Sequence, residues 1–185
     1  MDVKEYSKYR WFFTSSGKLV IGGKNSEQNE DLVTKMINSK EGYVVMHTKN
    51  PGSPFSFIIA NAEKVKEKDI DETAVFTACF SHEWKKGKKE AVVDVFQSSQ
   101  IYKKEKMKEG TFGVFGKVKS RKVELKLYLA MQKKKLRAVP FNEDSLIEIK
   151  MGKTPKEKAA EELAKKLNVK KEEVMQALPA GGFLL

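Results

Sequence analysis

Ser81-His82-Glu83 sets a hydroxyl, an imidazole and a carboxylate in a row, the groups that acyl-transfer enzymes use as nucleophile, base and orienter. Consecutive side chains of a helix point about 100° apart, so three neighbours cannot relay a proton and no catalysis is expected from them. His47 closes an apolar run and precedes a turn, a position from which a side chain can line a groove. Paired with Glu30 near Gly22-Gly23 it would make an acid and a base for an enzyme acting on RNA or a nucleotide, the less favoured alternative. Gly22-Gly23-Lys24-Asn25 joins a strand to a helix, so backbone amides, a helix N-terminus and Lys24 could together receive a phosphate. It carries neither the Walker lysine nor the GxGxxG spacing, which leaves nucleotide hydrolysis and dinucleotide binding without support. With two histidines and one cysteine, no metal site and no cofactor are expected.

The second chemical signal is charge. The chain has 36 basic and 25 acidic residues, a net +11, which suits an anionic partner. Residues 91–140 hold 13 basic residues against 4 acidic, while the segments on either side are nearly balanced. Lysine runs at 85–89, 103–108, 117–126 and 133–137 bracket candidate strands and would form a positive rim able to follow a phosphate backbone. Trp11, Tyr43 and Trp84 would add base stacking if exposed; core packing is the competing role for each.

These groups have to be positioned by a globular chain, as 40% apolar and 10% aromatic residues imply. Arg10–Ser15 and Lys18–Gly23 read as a hairpin around Ser16-Gly17. Ser26 reads as the cap of a helix with Leu32, Val33, Met36 and Ile37 inward. Tyr43–Thr48 and Phe55–Ala60 read as buried strands around Asn50-Pro51-Gly52-Ser53-Pro54. Asp69 or Asp71 would open a helix carrying Ala74, Val75, Ala78 and Cys79 inward, and a polar loop follows at Lys85–Lys89. Further strands are expected at Ala91–Phe96, Gly110–Phe115, Glu124–Met131 and Leu146–Ile149, separated by lysine-rich turns. Thr154-Pro155-Lys156-Glu157 reads as a helix start, and Lys171–Leu178 as a second short helix. The fold class is α+β: a mixed, largely antiparallel sheet with helices packed on it. The expected division is a domain over 1–150 and a C-terminal helical extension over 151–185. Apolar runs are too short to span a bilayer, and the Met1-Asp2-Val3-Lys4-Glu5 start does not read as a secretory signal, so a cytoplasmic location is expected.

Taken in order, several motifs resemble one family. Tyr9-Arg10-Trp11-Phe12-Phe13, Ser16-Gly17-Lys18-Leu19-Val20-Ile21-Gly22-Gly23-Lys24-Asn25 and Gln28-Asn29-Glu30 are similar to the opening of the NFACT-R domain. His47-Thr48-Lys49, Pro51-Gly52-Ser53-Pro54, Cys79-Phe80-Ser81-His82-Glu83-Trp84, Gly110-Thr111-Phe112 and Gly116-Lys117 continue the likeness to about residue 120. The family is regarded as an RNA-binding module at the C-terminal end of longer proteins of ribosome-associated quality control. Stand-alone versions are associated with archaea and with tRNA modification. No counterpart of the family's tRNA- and ribosome-gripping parts is read in these 185 residues, so a stand-alone version is the expectation, and Val44-Val45-Met46 stands where an aromatic residue is common.

The resemblance implies RNA contacts by Arg10, Lys24, Asn29, Glu30, His47, Lys49, Ser53, Ser81 and Trp84. The residues themselves add Trp11 as a stacking surface and Lys117, Lys119 and Arg121 from the lysine rim. A stand-alone, non-enzymatic RNA-binding domain is therefore expected, acting on tRNA or rRNA, with the ribosome or tRNA-modification proteins as further partners and no membrane. A protein-interaction module that docks through its C-terminal helix is the other alternative.

Overall fold

The computed structural model describes residues 3–39 and 41–185; the Met1-Asp2 start discussed above lies outside them. Strands β1 (Arg10–Phe13) and β2 (Leu19–Gly22) form the expected hairpin, followed by helix α1 (Ser26–Ile37) and strands β3 (Val44–Thr48) and β4 (Ser56–Ile59). Helices α2 (Glu67–Cys79) and α3 (His82–Lys85) precede β5 (Glu90–Gln97), β6 (Ile101–Tyr102), β7 (Gly113–Val114) and β8 (Lys119–Glu124). The chain closes with β9 (Leu127–Gln132), β10 (Lys135–Val139), β11 (Ser145–Pro155), α4 (Lys156–Leu167), α5 (Lys171–Ala177) and β12 (Gly182–Leu184).

One sheet has the order β1-β2-β4-β3-β5-β8, a second β10-β9-β11-β12, and β6-β7 form a small ribbon. All strand pairings among the described residues are antiparallel. The strands of the first sheet are apolar on both sides because both are covered. Phe12, Val20, Val44, Met46 and Ile58 point to a core shared with α2, the second sheet, α4 and α5. Their alternating neighbours Trp11, Ile21, Val45 and Phe57 meet Leu32, Val33 and Met36 of α1. The α+β class follows.

Several local expectations are corrected. Asn25, one residue before Ser26, caps α1, accepting from the Gln28 amide at 2.8 Å. Helix α2 starts at Glu67, and Asp69 in its first turn faces inward, fully buried. It accepts from the Thr14 and Ser16 hydroxyls, both at 2.6 Å, and from the Lys66 amide at 2.9 Å, which ties the β1–β2 turn to α2. Val75 is half-buried and packs against the edge of the main core. The lysine runs 117–126 and 133–137 are largely strands, β8 and β10, where turns were expected. Lysine suits β8 because it is an edge strand, where charge discourages further pairing. Only Gly113–Val114 of the expected 110–115 strand pairs, and the expected 124–131 strand is broken at a corner between β8 and β9.

Thr154 lies in β11 and does not cap α4; pairing of Pro155 with Gly182 prolongs the strand and leaves Pro155 at the cap position. The boundary expected at 150 falls inside this strand, and one continuous core joins the segments on both sides of it. The outer edge of β1 meets the second sheet through Gln132, whose side chain accepts from the Phe13 amide and donates to the Phe13 carbonyl, each at 2.8 Å.

Candidate nucleic-acid interface

A cleft of about 620 Å³ opens where β1, the β2–α1 turn, the end of β3 and the α2–α3 junction meet. Gly22 and Gly23 allow the close approach this requires, since a Cβ on Gly23 would lie 2.7 Å from the Asn29 backbone nitrogen. Asn29, buried, accepts from the Phe55 amide at 3.2 Å and so fixes α1 to the β3–β4 loop. That loop is held by Ser53, whose hydroxyl accepts from the Thr48 amide at 2.9 Å. Gly52, at φ +110°, packs against the His82 ring, and its carbonyl accepts from the His82 amide at 2.9 Å.

The walls are apolar and aromatic at Pro54, Phe55, Phe80 and Phe112. His47 stacks on Phe55 with ring centroids 4.5 Å apart, and its Nδ1 donates to the Thr48 carbonyl at 2.7 Å. Burial holds the imidazole below its usual range, outweighing the upward pull of the Thr48 carbonyl and of Asp94, so the ring is neutral at pH 7. Four cations line the cleft: Arg10, Lys24, Lys49 and Lys85. Among the described residues none of the four is in an ion pair, although Asp94 and Glu109 also line the space. Arg10 is half-buried over the Phe80 ring at 4.7 Å, and burial lowers its guanidinium to about 10.

The structure thus brings together Arg10, Lys24, Asn29, His47, Lys49, Ser53 and Ser81 from the expected set. The others are elsewhere. Trp11 and Trp84 are 2% and 1% exposed; Trp11 packs among Tyr6, Phe13 and Arg137, and Trp84 against Phe183, so neither offers a face for stacking. Tyr43 is buried as well. Glu30 is engaged by Lys103 and by the Gly110 amide, both at 2.7 Å, which anchors the 103–112 loop, and it is not among the residues that line the cleft with His47. Ser81 donates to the Ala78 carbonyl at 2.6 Å and caps α3, accepting from the Glu83 amide, so no Ser-His-Glu relay forms.

Of the lysine runs, only 85–89 reaches the cleft, through Lys85; the other three contribute no lining lysine or arginine. Arg121 pairs with Glu67 and Asp71 of α2, and Lys122 with Glu90. Lys117 and Lys119 flank Val118, which reaches the cleft while they do not. The lining cations come from residues 1–90, the part of the chain with the more even balance of charge. His82, Phe55, Phe112 and Asp94 were not expected as contacts; for Phe55 the adjacent Asn50–Pro54 turn was the local clue. Among the described residues no group of three or more His, Cys, Asp or Glu is placed to hold a metal, and no helix is long and apolar enough to cross a membrane.

The family model for the NFACT protein RNA binding domain matches residues 8–116, the segment that builds nearly the whole cleft. The chain belongs to this family. The NFACT-R match ends before β8, so the second sheet and its helices lie outside it. Over 81 residues, 43% of the chain, it is 33% identical to the ribosome quality control complex subunit NEMF homolog of Drosophila melanogaster and 30% to human NEMF. Ribosome quality control complex subunit 2 of Schizosaccharomyces pombe is 34% identical over 59 residues. The matched region spans at most 8% of these relatives' own length. Among solved structures, the C-terminal part of a fibronectin/fibrinogen-binding protein from Streptococcus suis shares the fold at a TM-score of 0.54 and 22% identity, covering 63% of this chain and 44% of that one.

Proposed function

We propose that this NFACT-R chain binds single-stranded segments of tRNA or rRNA in its cleft, by binding alone and without catalysis, in ribosome quality control, translation or RNA modification. The observation that carries this is the lining itself: four cations without ion-pair partners around aromatic and proline walls, in the segment that matches an RNA-binding family. Phosphates answer the cations, and bases suit the walls of Pro54, Phe55, Phe80 and Phe112. The volume accommodates one or two nucleotides, so the cleft suits a splayed loop or strand end better than a duplex. The relatives named for ribosome quality control point to the same setting.

Filter binding of tRNA and of rRNA fragments across a salt series tests the proposal. With three or four phosphate contacts, log affinity should fall against log salt with a slope of about −2 to −4. Absence of binding to either RNA at low salt overturns it.

A further inference from the structure

Arg10 and Lys24 line the cleft together with Ala180, which brings the C-terminal segment to its edge, and Lys156 is bonded two residues away at Leu178. Arg10 comes from β1. Lys156, the first residue of α4, donates its Nζ to the Leu178 carbonyl at 2.8 Å and lies near enough to Arg10 for the two charges to repel. Lys24 feels Arg10 as well, together with Lys135 and Arg137 from β10. Arg137 is 9% exposed, lies 4.4 Å from the Trp11 ring, and has a buried Nε with no hydrogen-bond partner. Among the described residues none of these side chains makes an ion pair; Glu173 attracts Arg137 from beyond ion-pair distance, and Asp94 and Glu109 share the cleft with Arg10 and Lys24 without pairing with them. Burial, and after it the Arg10 charge, together lower Lys156 to about 8. Gathering dehydrated like charges is costly unless an anion joins them.

We propose that Arg10, Lys24 and Lys156 form one phosphate site, shared between the NFACT-R segment and the start of α4, that takes a phosphate group of the RNA strand lying in the cleft. This rests on the RNA-binding reading and adds to it a residue outside the matched segment, Lys156. A phosphate offers several acceptor oxygens to donors that approach from different elements, and the arginine fork suits it. The group is either a terminal monoester or an internal diester.

The test uses the full chain and two short single-stranded RNAs, identical except for a 5′-phosphate or a 5′-hydroxyl, each labelled at the 3′ end for fluorescence anisotropy. Lys156→Gln keeps an amide donor for the Leu178 carbonyl but no charge, and should weaken binding about tenfold while lowering the salt slope by about 1. Wild-type affinity should fall as pH rises from about 7 to about 9, because Lys156 loses its proton there; Lys156→Arg should bind at both values and lose that dependence. Of the neighbouring charged groups, Arg10 stays protonated throughout this interval, Glu157 is held by Lys171, and groups elsewhere titrate alike in all variants. Melting curves establish that each variant is folded, and Lys24→Gln, an exposed change, provides a second probe. Preference for the 5′-phosphate that disappears in Lys156→Gln assigns a monoester; equal losses for both RNAs assign a diester. Wild-type affinity, slope and pH response in Lys156→Gln overturn the shared site while leaving RNA binding intact. A wild-type chain that binds neither RNA overturns both.

Discussion

Arg10 and Arg121 have the same side chain and opposite circumstances. Arg10 faces the cleft with an aromatic ring behind it and no carboxylate in ion-pair contact; Arg121 is neutralised by Glu67 and Asp71 on the surface of α2. Arg10→Gln should therefore weaken RNA binding about tenfold, and Arg121→Gln should change it by no more than about twofold, both read from filter-binding isotherms at one salt concentration. Gly52 is the other decisive position. At φ +110° an L side chain is strained, and a Cβ would lie 2.3 Å from the His82 ring. Gly52→Ala should cost at least about 1 to 2 kcal/mol from the backbone conformation alone, measurable as a lowered urea midpoint. RNA affinity should drop with it, since His82 and Ser53 both line the cleft.

At the scale of elements, buried carboxylates work as fasteners. Asp69 holds the β1–β2 turn to α2 through two hydrogen bonds and caps α2 through a third from the Lys66 amide, and although burial alone would raise its carboxyl, the Ser16 and Thr14 hydroxyls bring it below its ordinary value. Asp69→Asn should destabilise by about 3 kcal/mol with the denaturant slope unchanged, because charge-assisted bonds are lost without a change in exposed surface. Glu30 anchors the 103–112 loop to α1. Burial pulls its carboxyl upward, but Lys103 and the Gly110 amide pull harder, and the net effect is a lowered value. A lowered carboxyl stabilises the fold above the ordinary value of 4.5, and that contribution disappears as pH falls through the folded-state value. Wild type should accordingly melt higher than Glu30→Gln at pH 7, with the two melting temperatures converging as the solution is acidified below 4.5.

At the scale of the molecule, the C-terminal segment completes the main core. Ala159, Ala160, Leu163, Val174, Ala177, Leu178 and Phe183 are buried in the same cluster as Phe12, Phe76 and Trp84. Four of these are large side chains worth about 2 kcal/mol each, so their removal takes away about 8 kcal/mol, comparable with the whole stability of a domain. Deleting residues 156–185 should leave a chain that lacks a cooperative thermal transition by circular dichroism. A sharp transition near that of the full chain would show that residues 1–155 fold without the C-terminal helices and β12.

Local signals determined much of this molecule. Continuous apolar runs, the Ser16-Gly17 turn and the Asn50–Pro54 turn located the hairpin and β3–β4, and the ordered motifs placed Arg10, Lys24, Asn29, His47, Lys49, Ser53 and Ser81 in one cleft. Such features are legible because spacing along the chain controls turn chemistry and which side of a strand a residue occupies. What the linear order concealed was pairing between distant residues. Density of lysine between 91 and 140 suggested a phosphate-binding rim, yet Arg121 and Lys122 are neutralised by acids remote in sequence, and the unpaired cations of the cleft come from elsewhere. Likewise Trp11 and Trp84 could be read as stacking surfaces until Arg137 and Phe183, more than 90 residues away, were seen to cover them. Charge and aromaticity belong to the residue, but neutralisation and burial belong to its neighbours in space, which only the folded chain supplies.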